Sequence, residues 1–536
     1  MKKQNTRSIA IVLALCALAF LPQMLAVSPP PDGCYPGLTT AEGCFALFSL
    51  AGGTGNTAVG QDALFSDTTG SWNTAVGAVA LGFNNGNFNT AVGVATLLLN
   101  TSGANNTAIG TAAMVHNDMG SDNTANGAFA LLSNTDGERN TAVGSGALRE
   151  NIHAADNTAV GDSALGNNDV TGSGEAVNNT AVGSTALHSN TDGGSNTALG
   201  AFALSSNTIG NSNTATGGGA LSSNIDGGGN TASGVLALSA NTHGILNTAS
   251  GLAALQNNAT GNNNTASGAG ALTFNDADNN TATGVSALHS NTSGLANTAV
   301  GWQALQSKQT GDNNTAVGVQ TLATLTSGNA NTAIGPGAGF GLTTGSDNVY
   351  IGFASGGDSI ESGVTRIGSA NLTGTCFIFG IYDNVMPVGG SVDSVTINFD
   401  GKLGRQGSSR RYKEDIKPMD DASEVLYRLE PVTYRYNKNI DPAQRIDYGL
   451  IAEDVATVDP NLAIRDGNGR IDSVRYLAIQ NMLLNEFLKE HRKVKELESR
   501  LSQQEEQIES LSIGLQRVTA ELRTNRSVAQ VAANDR

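Results

Sequence analysis

Between residues 50 and 368 small apolar and polar positions recur with a period of 17 residues. The recurring unit is Asn-Thr-Ala-X-Gly, which starts at Asn56, Asn73, Asn89, Asn106, Asn123, Asn140 and Asn157 and resumes from Asn179 to Asn331. A diverged copy, Asn348-Val349-Tyr350-Ile351-Gly352, and a remnant, Arg366-Ile367-Gly368, follow. Two steps are 16 residues long and one is 22, the long one carrying an insertion from Asp169 to Glu175. Each unit continues to an Ala-Leu pair, such as Ala147-Leu148, and to a turn such as Asn190-Thr191-Asp192-Gly193. Seventeen residues are too few for a helix pair and predict two strands of four or five residues with two Gly/Asn turns. Stacked at the spacing of paired strands, about 4.8 Å, such units make a rod on the order of 80 Å long with Ala and Leu in internal columns. A coil this thin buries little and exposes sheet edges, which calls for end caps and partner chains.

Beyond the array the periodicity changes. Residues 369–407 alternate in the manner of strands, in Cys376–Tyr382 and Ser394–Phe399, with a turn at Asp400-Gly401. From Val474 the pattern is helical. Phe487, Val494, Leu501, Ile508, Leu515 and Leu522 fall seven apart, with Leu497, Leu511 and Val518 between them and Gln504 as a polar exception. Sustained heptads predict a coiled coil; they leave the number of strands open.

Composition narrows the functions. Aromatic residues are 5% of the chain and charged residues 14%, against 67 glycines, which excludes large aromatic cores. Residues 28–400 hold 24 Asp/Glu and only 4 Lys/Arg, a balance that cannot neutralise a phosphate backbone or an anionic membrane surface. Nucleic acid is therefore not an expected partner. Residues 1–27 read as a secretory signal peptide, with Lys2, Lys3 and Arg7 before an apolar run from Ile9 to about Leu21 and a small residue, Ala26, at the cleavage point. An uncleaved anchor is the alternative, for which the run is short. Export permits a Cys34–Cys44 disulfide, two free thiols being the alternative, while Cys376 reads as a buried strand residue. The chain shows no metal-ligand spacing of Cys and His, and no cofactor is expected.

The array resembles the heads of trimeric autotransporter adhesins, built from short Asn-(Ser/Thr)-X-(Ala/Val/Ile)-(Ile/Val)-Gly repeats, although its period is longer than theirs. That resemblance covers residues 50–368 and implies a trimeric β-roll. The C-terminal segment carries Ser408-Ser409-Arg410-Arg411-Tyr412-Lys413-Glu414-Asp415-Ile416-Lys417-Pro418, then Leu429–Tyr436, Tyr448–Val455 and Val474-Arg475-Tyr476-Leu477. These four motifs resemble the intramolecular chaperone auto-processing domain of phage endosialidases, tail spikes and tail fibres. The resemblance implies self-cleavage before the motif serine, with a lysine five residues on as its base. Carried over, Ser408 is the nucleophile, Lys413 the base, and Gly407–Ser408 the scissile bond. A serine hydroxyl is a weak nucleophile until a neighbour takes its proton, and a glycine on the acyl side leaves the carbonyl open. Ser409 departs from the Asp common among relatives.

The expected architecture is mainly β. A signal peptide (1–27) and N-terminal cap (28–49) precede a parallel β-roll or β-solenoid (50–368) and a strand transition (369–407). An α+β chaperone domain (408–485), a coiled coil (486–525) and a polar tail (526–536) follow. The expected protein is an exported, homotrimeric, adhesin-like fibre with a cell-surface or glycan ligand and no stable transmembrane anchor in its mature chain. Three alternatives stand beside it: an uncleaved structural fibre; an ice-binding face on the Thr ladder (Thr57, Thr74, Thr90, Thr107); and a polysaccharide-processing fibre. The last lacks a groove with a carboxylate pair. Asp-Gly pairs such as Asp192-Gly193 and Asp226-Gly227 read as turns, not calcium loops.

Overall fold

The computed structural model describes residues 37–369, 395–397, 403–405, 407–466 and 468–533. The segment read as a signal peptide, Cys34 and Cys376 lie outside the described residues, and Cys44 is exposed. The chain divides into two compact units, the array and the C-terminal module.

The array is a parallel β-solenoid of 20 short strands in one sheet, each paired with its successor. Every strand has three residues, and Thr faces Thr, Ala faces Ala and X faces X along the sheet, as in Thr197↔Thr214, Ala198↔Ala215 and Leu199↔Thr216. The register survives the 16-residue step, where Thr74 pairs with Thr90, and the 22-residue step, where Thr158 pairs with Thr180. The insertion is absorbed as a side loop folded around Asp169, whose carboxylate accepts from the backbone N–H groups of His153, Ala154 and Gly174. The sheet begins at Thr40–Glu42, inside the segment read as an N-terminal cap. Glu42 stands where later rungs carry Val, Ile, Leu, Thr, Ser or Asn, none of them charged.

Each rung has one strand, where the spacing predicted two. The reason lies in the Ala-Leu pair: Ala147 and Leu148, like Ala203 and Leu204, are both fully buried. Neighbouring residues of an extended strand point to opposite faces, so two consecutive inward side chains require another backbone. The second leg obtains it by placing Leu in the left-handed region, with φ of 51° at Leu148 and 52° at Leu204. It still bonds to its neighbours, Leu148 N–H donating to the Ala164 carbonyl at 3.0 Å. The motif glycine has an equally firm cause. Gly234 sits at φ 140°, and a Cβ there would lie 2.5 Å from the Gly251 carbonyl oxygen.

Two columns of buried asparagine run beside the Ala and Leu columns. The motif Asn of a rung accepts the backbone N–H of the next motif Asn, as Asn213 Oδ1 does from Asn230 at 2.9 Å, and, except at Asn157, donates to a turn carbonyl, as to Gly227 at 2.8 Å. A second column forms a side-chain chain, with Asn224 Nδ2 donating to Asn207 Oδ1 and Asn241 Nδ2 to Asn224 Oδ1, both at 2.7 Å. This column starts at Asp67 and gives way to Lys308 and then Leu325 and Leu342, all fully buried. Burial pushes the Asp67 carboxyl up to about 6 and the Lys308 amine down to about 8, with Asp312 opposing the latter shift.

At its C-terminal end the Ala column is replaced by Tyr350 and then Arg366. Tyr350 is fully buried, and its hydroxyl donates to Glu361 at 2.6 Å. Arg366 donates to both oxygens of the same carboxylate, at 3.1 and 2.6 Å. An inward charge thus takes the place of the apolar column in the last described rung. Between the ends, the Ala, Leu and Asn columns are closed within one chain, so partner chains are not needed to complete this core.

The C-terminal unit is small. A 3-10 helix, Asp420–Arg428, precedes a strand pair, Val432–Tyr434 with Asp447–Gly449. A short α-helix, Ala452–Val458, leads through a 3-10 turn to a second pair, Ala463–Arg465 with Ile471–Val474. Val455, Leu462 and Val474 form its core. The chain then enters an α-helix, Tyr476–Ala533, about 87 Å long at 1.5 Å per residue. Among the described residues no helix is long and apolar enough to cross a membrane.

Candidate processing site

Ser408 and Lys413 are brought together by a single tight turn. Arg410–Tyr412 form one turn of 3-10 helix, closed by Tyr412 N–H to the Ser409 carbonyl at 3.0 Å and Lys413 N–H to that of Arg410 at 3.2 Å. Reversing the chain over five residues lets Lys413 Nζ donate to Ser408 Oγ at 2.9 Å. Both side chains are exposed in the single chain. Ser409 occupies the N-cap position in extended conformation, φ −65° and ψ 144°, and its hydroxyl makes no capping bond. Asp, a favoured cap residue, would supply that bond.

Gly407, on the acyl side of the expected scissile bond, lies against the ring of Tyr412: a Cβ at 407 would sit 3.1 Å from Cδ2 and Cε2. The Arg411 guanidinium lies over the same ring, 4.7 Å from its centre. Nothing in the spacing of the residues signals this ring contact beyond the presence of an aromatic next to Lys413.

The turn is followed at once by the segment that the long helix holds in place. Ser423, fully buried, donates to Glu486, and the Tyr427 hydroxyl donates to the same carboxylate at 2.9 Å. Lys489 adds a bond at 2.8 Å, and Asn485 donates to the Asp420 carbonyl at 2.9 Å. Lys489, Ser423 and Tyr427 together hold the Glu486 carboxyl down at about 2. This cluster escapes sequence reasoning because its partners are some 60 residues apart; its one signal is a carboxylate next to the apolar heptad position of Phe487. Among the described residues no group of three or more His, Cys, Asp or Glu is placed to hold a metal ion.

Residues 408–464 match the family described as chaperone of endosialidase. The matched segment opens on Ser408 and takes in the 3-10 turn, both strands of the first pair and the short helix. No curated protein and no solved structure matches the chain. The array's likeness to adhesin heads therefore rests on its motif, while its architecture as a parallel solenoid rests on the strand pairing.

Proposed function

We propose that the protein is an exported, trimeric, tail-fibre-like surface fibre whose C-terminal domain assembles three chains and then cuts itself off between Gly407 and Ser408. The observation that carries this reading is the 2.9 Å contact between Lys413 Nζ and Ser408 Oγ at the first residue of the chaperone match. In the neutral amine the same contact reverses, the hydroxyl donating to nitrogen. Ser408 Oγ attacks the Gly407 carbonyl carbon while its proton passes to Lys413. The carbon–nitrogen bond breaks, Lys413 returns the proton to the departing α-amine, and Gly407 is left as an ester on Ser408. Water hydrolyses that ester to a Gly407 carboxylate.

Exposure of both groups gives the reaction its timing. Burial by partner chains withdraws water from both side chains and holds the pair within reach of the Gly407 carbonyl. Assembly thus precedes cleavage. The long helix supports assembly of several chains, since Phe487, Leu501, Ile508, Leu515 and Leu522 repeat along it and remain 56–71% exposed in one chain. An uncleaved structural fibre is the second reading, favoured by the same exposure and by the missing cap at Ser409.

Denaturing gels of full-length wild type beside Ser408→Ala and Lys413→Ala decide between them. The expected result is a fragment beginning at Ser408 in wild type alone; a single full-length band in all three refutes cleavage.

A further inference from the structure

Parallel copies of this array repel one another over most of their surface, because residues 28–400 carry 24 acidic against 4 basic residues. One strip is exempt. On the strands from Thr57–Val59 to Thr365–Ile367 the two outward positions carry no charged residue. The first is Thr in every strand but one, Val349. The second is Val, Ile or Leu in two long runs, Val59 to Leu199 (broken once, at Asn126) and Val300 to Ile367, separated by Thr216, Ser233, Ser250, Ser267 and Thr283. The aliphatic members are partly exposed, 37% at Val160 and 41% at Leu199. Most acidic residues lie instead in the turns, as at Asp192 and Asp226, and the second leg adds Asp62, Glu150 and Asp162. Strand preference favours Thr, Val and Ile alike, so it is the exposure of an aliphatic row of this length that calls for a covering surface.

We propose that this strip is the surface through which copies of the chain meet, three strips facing a common axis. The inference rests on the trimeric reading above and specifies which face of the array it uses. A strip about 90 Å long and about 10 Å wide offers roughly 900 Å² per copy, about 450 Å² toward each of two neighbours, which is short of the 800 Å² or so of a self-sufficient interface and therefore adds to the contacts of the long helix. It is the face on which like charges do not oppose approach. Its small hydroxyl-bearing middle lets backbones come close without stranding a buried charge.

The test uses the full-length protein carrying Val182→Cys on the strip or Ile209→Cys on a turn, each beside the unsubstituted protein to account for native thiols. Ile209 is 49% exposed and lies off the strip. The expected result is a two-chain disulfide band on mild oxidation, and loss of labelling by a polymer-linked maleimide, for Val182→Cys only. A trimer by light scattering in which the Val182→Cys thiol labels freely and does not cross-link overturns the assignment of the face and leaves the trimer standing. A monomer overturns both. Thermal hysteresis from a trimer with a free strip would identify ice as the occupant instead and likewise overturns the proposal.

Discussion

Replacing Asn213 by Ala tests whether the buried amides hold the array together. Asn213 Oδ1 is the acceptor for the Asn230 backbone N–H at 2.9 Å, and alanine leaves that buried donor without this partner. The Gly227 carbonyl keeps the bond from Asn224 at 2.9 Å, so it is weakened but not orphaned. One stranded N–H costs about 1–3 kcal/mol, and the lost donor bond and small void bring the total to about 2–4 kcal/mol. Because each rung touches only its neighbours, this loss stays local. Hydrogen exchange followed by mass spectrometry is the suitable assay, with Ile225→Ala, a change at a partly exposed turn position of the same rung and off the strand strip, as control. Exchange of the amides around Asn230 is expected to accelerate from about 30-fold to several hundred-fold at 1.4 kcal/mol per decade, with rungs near Asn106 unchanged. A change no larger than that of the control, or one spread evenly over the array, refutes the reasoning.

Two further predictions concern charged residues in the asparagine column and the cap at the processing site. Asp67, with its folded pKa raised from 3.8 to about 6, contributes stability below 3.8 that is lost as pH rises through 6. Lys308, lowered from 10.5 to about 8, contributes stability above 10.5 that is lost as pH falls through 8. Asp67→Asn and Lys308→Asn are therefore each expected to stabilise their end of the array at pH 7, by about 1–2 kcal/mol after allowance for screening. The gain from Asp67→Asn vanishes near pH 4 and that from Lys308→Asn near pH 10; exchange measured at the three pH values checks both. Ser409→Asp supplies the missing cap to the turn of Arg410–Tyr412, and a larger cleaved fraction at equal times on denaturing gels is the expected outcome.

The repeat unit was legible because each of its residues answers to one local demand. Thr favours a strand, Ala fits a narrow column, and Gly234 and its equivalents meet a carbonyl where a Cβ would be. The second leg was not legible, since Leu148 and Leu204 adopt a left-handed backbone that their intrinsic preference opposes. Only the stacked rungs on either side, by burying the side chain and pairing the N–H, make that conformation hold. The role of the second asparagine column was hidden likewise, because Asn in a turn is already explained by turn chemistry. At the processing site, Ser408 and Lys413 could be named from a contiguous motif. Tyr412 against Gly407 and Glu486 against Ser423 could not, as both depend on where folding delivers a side chain.

The stacking of the rungs has a mechanical side. The bonds that join one rung to the next run along the array axis, the direction in which a fibre is loaded. A standard rung keeps 17 residues of chain within about 4.8 Å of rise, whereas the same residues drawn out span roughly 58 Å at 3.4 Å each. Pulled from its ends, the array would yield a rung at a time, each rupture paying out about 50 Å of chain while its neighbours stay folded. Fully drawn out, such a rod is about twelve times its folded length; short of that, opened rungs have folded neighbours to restack onto.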